Sequence, residues 1–129
     1  MYYIVESSKS FEQAATDLEE AVKRNQFGVL HIHDLGNTLR GKGIDFKENC
    51  RVFEVCNPVQ ANKVLSTDMR MNMALPCRIS VYGSEGSYTL ATMLPTEMMK
   101  VFGKPEIAPV AKEVEGVIIH MIQDAAGDS

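Results

Sequence analysis

The chain has 129 residues, 45% of them apolar and 23% charged, with a formal net charge of −4. That suffices for one core without staples and is far from disorder; no run reaches the ~18 apolar residues of a membrane span, and the scattered Lys and Arg argue against nucleic acid or an anionic membrane surface. Three cysteines, behind an N-terminus with no basic and apolar leader, predict reduced thiols in a cytoplasmic setting and no disulfide framework.

Tyr2 to Glu6, "YYIVE", reads as a short strand rich in aromatic and β-branched residues. Ser10 then caps a helix, with Gln13 completing a capping box. Phe11, Ala14, Ala15, Leu18, Ala21 and Val22 share one face of it, and Gly28 lies just past its end. Val29 to Leu35 is a second strand, followed by a glycine-rich loop, "GNTLRGKGIDFKENC", with room for one helical turn at Thr38 to Arg40. Arg51 to Cys56 is a third strand, which places Cys50 in the loop before it. Asn57 caps the next helix, Pro58 fills its first position and Gln60 the box position, and the helix runs to about Leu65.

"STDMRMNMALP" is irregular; Cys77 to Gly83 and Ser87 to Met93 then form a hairpin over "GSEG". Pro95 and Thr96 start a short helix that Gly103 ends. Ile107, Val110, Ala111, Val114, Val117, Ile118, Met121 and Ile122 trace a long amphipathic helix, and the tail "DAAGDS" should fray. No linker or repeat interrupts residues 1–129, which read as a single domain. The order predicts an α+β two-layer sandwich, a mostly antiparallel sheet with helices on one face.

Strand alternation assigns Val5, Leu30, Ile32, Phe53, Val55, Ile79 and Val81 to the helix-covered side. The opposite side carries Ile4, His31, His33, Val52, Glu54, Cys56, Arg78, Ser80 and Tyr82. Such a half-polar face suits a dimer interface or a ligand groove, although plain solvent exposure of scattered apolar residues is also common.

"CNPVQANKVL", "LPCRISVYG", the "GSY" turn and the opening "YYIVESSKSFEQAATDLEEAVKRNQFGVL" together resemble the domain-of-unknown-function 302 family, in order and over nearly the whole chain. The resemblance implies a β-α-β(4)-α two-layer fold similar to the TATA-binding-protein class, often dimeric, and no established activity. His31-x-His33 and Met69-x-Met71-x-Met73 fall outside that pattern.

The candidate site is the Cys56-Asn57-Pro58 junction, where unpaired amides and the positive end of a helix dipole favour a thiolate or a bound anion. Against it stands the simpler reading of Cys56 as a small buried residue beside an ordinary cap. Cys77, His33 and Arg78 are its expected neighbours. His31 and His33, on one strand face, could hold a metal only with a third ligand such as Glu54 or Cys56, so no metal or other cofactor is assigned. The methionine run reads as gap-filling. "GKG" at Gly41 to Gly43 lacks the Walker pattern. Glu19-Glu20 and Glu113/Glu115 read as solvated charge, and no Ser-His-Asp or paired-acid arrangement stands out.

These observations lead to a homodimer that binds a small molecule or anion at the junction. The alternatives are a thiol redox or sulfur-handling enzyme using Cys56 and Cys77, whose alternation places them on opposite faces, and a purely structural interaction module.

Overall fold

The computed structural model describes residues 1–127. Five strands, β1 (Tyr2–Ser7), β2 (Gly28–Asp34), β3 (Asn49–Cys56), β4 (Cys77–Ser84) and β5 (Ser87–Met93), make one sheet in the order β1-β5-β4-β3-β2, every pair antiparallel. The helices are α1 (Phe11–Arg24), α2 (Leu35–Gly41), α3 (Pro58–Thr67), α4 (Pro95–Lys100) and α5 (Ala108–Ala126). Without the three short helices the order is β-α-β-β-β-β-α, an α+β arrangement in which α1 and α5 cover one side of the sheet.

The core lies between those two helices and the sheet. Leu18 and Val22 of α1 and Ile118, Met121 and Ile122 of α5 pack with Phe53, Val55, Ile79, Val81 and Leu90. Each large aliphatic side chain removed from water here is worth ~2 kcal/mol. A second apolar cluster joins Val64, Met71, Met99, Ile107 and Ala111. Met71 is therefore core, while Met69 and Met73 are exposed. The run has no common direction.

Several local expectations are corrected. Leu30 is 61% exposed, because β2 carries a bulge: Val29 pairs with Val55 and His31 with Glu54, leaving Leu30 the extra residue. Val29 takes the inward place. Ile32 stays in register with Phe53, but β2 is an edge strand and leaves it partly uncovered.

The glycine-rich loop contains α2, which starts at Leu35 because the Asp34 side chain accepts from the Asn37 amide at 2.9 Å. β3 begins at Asn49, so Cys50 belongs to the strand and faces Tyr82 across the ladder. Met69–Met73 is a 3₁₀ turn capped by Asp68. The left-handed residue after α1 is Gln26 (φ 61°), two positions before the expected Gly28.

Asp124 to Ala126 continue α5, with Ala125 and Ala126 buried; Asp128 and Ser129 of the expected frayed tail lie outside the described residues. Glu115 is not merely solvated either. Its Oε1 accepts from the Thr96 amide at 3.0 Å and hydroxyl at 2.6 Å, capping α4 from another helix. Glu113 accepts from Gln60 Nε2 at 2.9 Å.

The β4–β5 hairpin closes through Glu85-Gly86, both with positive φ (48° and 81°), the pattern of a tight hairpin turn whose twist matches the strands.

Candidate functional site

At the Cys56-Asn57-Pro58 junction the sequence places the cap as expected. Asn57 Oδ1 accepts from the amides of Val59 (3.0 Å) and Gln60 (3.1 Å), and the Asn57 carbonyl accepts from Ala61 at 2.9 Å. Pro58 has no N–H. The expected unpaired amides are thus taken by Asn57 itself, so an anion finds no free first-turn backbone donor here.

The cavity beside them measures about 30 Å³ and is lined by Phe27, Val55, Val64, Leu75 and Met99 together with Cys56, Gln60 and Cys77. That is room for no more than about one water molecule. Gln60 Oε1 is buried there without a partner among the described residues.

The thiols are equally unlike a reactive pair. Cys50, Cys56 and Cys77 are all free. Burial raises the Cys56 thiol, and burial with the nearby Cys56 pushes Cys77 up to about 11. Cys77 faces the helix side opposite Val55, whereas Cys56 ends the other alternation of β3.

His33 and Arg78 do not join this junction. They meet instead on the uncovered face of the sheet, with Glu54 between them. Glu54 Oε2 lies 3.1 Å from His33 Nε2 and 3.4 Å from an Arg78 guanidinium nitrogen. The His31 ring stands edge-on to that of His33, centroids 4.4 Å apart. No group of three or more His, Cys, Asp or Glu among the described residues is placed to hold a metal ion. Among those residues no helix is long and apolar enough to cross a membrane.

The same face holds a groove of about 480 Å³. Its floor is a cross-sheet row, Ile4 opposite Ala91, Ala91 opposite Ser80 and Ser80 opposite Val52. Ala91 and Ser80 are small and leave depth at the centre. Tyr2, Tyr82 and Met93 rise around this floor, and Met73, Leu75, Pro76 and Met98 wall one end. Arg78 is the sole charged side chain among its described lining residues. Alternation predicted the mixed face. The end wall was not legible, because most of it, Met73, Leu75 and Pro76, comes from a segment that reads as irregular.

A family model described as Domain of unknown function DUF302 matches residues 3–125. The chain belongs to the DUF302 family. A similar solved structure is the crystal structure of the uncharacterized conserved protein DUF302 from Bacillus stearothermophilus. It matches with a TM-score of 0.91 at 28% identity over 98% of each chain. No match was found among curated proteins. The DUF302 family thus accounts for the architecture, and its model covers the described lining residues of the groove other than Tyr2.

Proposed function

We propose that this DUF302 chain is a binding module that takes a small, largely apolar molecule in the groove on the uncovered sheet face. The observation that carries this reading is the groove itself. Its 480 Å³ falls within the range of small-molecule sites, and its walls are aromatic and aliphatic with a few polar groups at the base. The site of the reading is therefore the Arg78 side of the sheet. The Cys-Asn-Pro turn, with its amides capped and its small cavity lined mostly by apolar side chains, serves to hold α3 against β3.

The test is titration with a neutral fluorescent naphthylamine. Saturable emission enhancement is expected, and Ala91→Phe, which fills the floor opposite Ile4 and Ser80, should abolish it while circular dichroism stays native. Undiminished binding by Ala91→Phe would overturn the groove as the site.

A second reading is favoured by one observation on the same face. Tyr2, Ile4 and Met93 are 66%, 47% and 49% exposed, a contiguous apolar rim that a second copy of the chain would cover. It expects a dimer in sedimentation that Tyr82→Glu splits into folded monomers. A monomer at all concentrations would remove it.

A further inference from the structure

Resting on the groove reading, we infer that the molecule the groove takes carries an anionic group, carboxylate-like or sulfonate-like, and that Arg78 reads this group while Glu54 stands guard over the empty site. Arg78 is the single charge among the described lining residues, set into walls that are otherwise hydrocarbon or neutral polar groups. A guanidinium offers five donors in a planar fork that matches a two-oxygen anion. Here it uses one of them, in a 3.4 Å contact at the outer edge of hydrogen-bonding distance, and has no other partner among the described residues. The Arg78 side chain is 66% exposed, so this contact is a weak tether that a better acceptor can replace.

The tether is also built to let go. Glu54 Oε2 is already 3.1 Å from His33 Nε2, on the side away from the groove, and Glu54 is the more buried partner. When an anion takes the Arg78 fork, Glu54 keeps the His33 contact and is not left as a lone, largely buried charge. A neutral ligand gains only the apolar walls. An anionic one adds the charge-assisted pair, an advantage of about ten-fold in affinity. Glu54 competes for Arg78, so it sets the threshold that weak acceptors such as water or chloride fail to pass.

Two dyes with one aromatic body separate the claims: neutral N-phenylnaphthylamine and its anionic counterpart, anilinonaphthalene sulfonate. The native chain is expected to bind the sulfonate about ten-fold more tightly than the neutral dye. Arg78→Met should bring the two affinities within about two-fold by weakening the sulfonate, with native circular dichroism showing that the variant is folded. Glu54→Gln should tighten the sulfonate about three-fold without moving the neutral dye. Equal affinities in the native chain, or a preference that survives Arg78→Met, would overturn the assignment of charge and leave the groove standing. Dye binding unaffected by Ala91→Phe, or binding of neither dye, would instead bring down the groove, and this inference with it.

Discussion

Lys9 and Asp17 form an ion pair of 2.7 Å whose lysine also donates, at 2.9 Å, to the carbonyl of Ala125 near the far end of α5. One ammonium therefore ties the loop after β1 to α1 and to the last turn of the C-terminal helix. Lys9→Met keeps the aliphatic stem and removes only these contacts. It should lower stability by ~1 kcal/mol, read as a shift in the urea midpoint at neutral pH. An unchanged midpoint would show that the tie is ornamental.

Acid should destabilise the fold through a small set of carboxylates. Arg51 holds Glu12 below its usual range, Lys9 does the same for Asp17, and Arg70 lowers Asp68 to about 2. Because each folded-state value is depressed, the stability it contributes is complete above the ordinary carboxylate range and is lost as pH falls through the lowered values. The urea midpoint is expected to be flat from about pH 7 to 5 and to drop below about pH 4.5. Arg51→Met, which frees Glu12, should make that drop shallower.

The cysteines should titrate as slow, protonated thiols. With Cys77 near 11 and Cys50 and Cys56 raised by burial, reaction with an aromatic disulfide reagent at pH 7 should be slower than for free cysteine. Cys77, the most buried, is expected to react only on unfolding. Rapid modification of Cys56 in the native protein at neutral pH would restore the thiol chemistry that the geometry speaks against.

Two hairpin glycines should respond very differently to alanine. Gly83 has φ 141°, and a Cβ there would lie 2.2 Å from the Ser87 carbonyl oxygen; Gly86 has φ 81° and open space around it. Gly86→Ala should cost ~1 kcal/mol, the left-handed penalty alone. Gly83→Ala adds a backbone clash, so a loss of ~3 kcal/mol or more is expected. Thermal melts of the two variants, compared directly, give the answer.

The fold was legible where periodicity and capping act together. Ser10, whose hydroxyl accepts from the Gln13 amide, and Asn57 with Pro58 start their helices where they should, although the Gln13 side chain donates to Asp17 and closes no capping box. Alternation along β3 and β4 sorted Phe53 and Val55 from Val52 and Glu54. Legibility failed where one residue changes the phase. The β2 bulge sends Leu30 outward, and nothing in "GVLHIHD" distinguishes the extra residue from its neighbours. It failed again where the partner is distant in sequence. Glu115 looks like surface charge on α5 until α4 is folded against it, and Asp34 looks like a strand end until α2 is seen to begin on it.

The candidate site followed the same division. His33 and Arg78 were identified by side-chain chemistry, but their common partner Glu54 and their separation from Cys56 depend on ladder register. The strand-to-helix turn looked anion-seeking because a free helix start and a self-capped one differ only in where one asparagine oxygen points.

The antiparallel partnership of β1 with β5, from Tyr2 beside Met93 to Ser7 beside Tyr88, has a consequence for biosynthesis. Of the five strands, β1 is made first and its ladder partner last. Until β5 is made, β1 is an orphan, and until α5 follows, α1 alone covers the hydrocarbon side of the sheet. The sheet therefore closes only once β5 has been made, in a step dominated by non-local contacts, and the unclosed edge of β5 is open to wrong partners until β1 takes it.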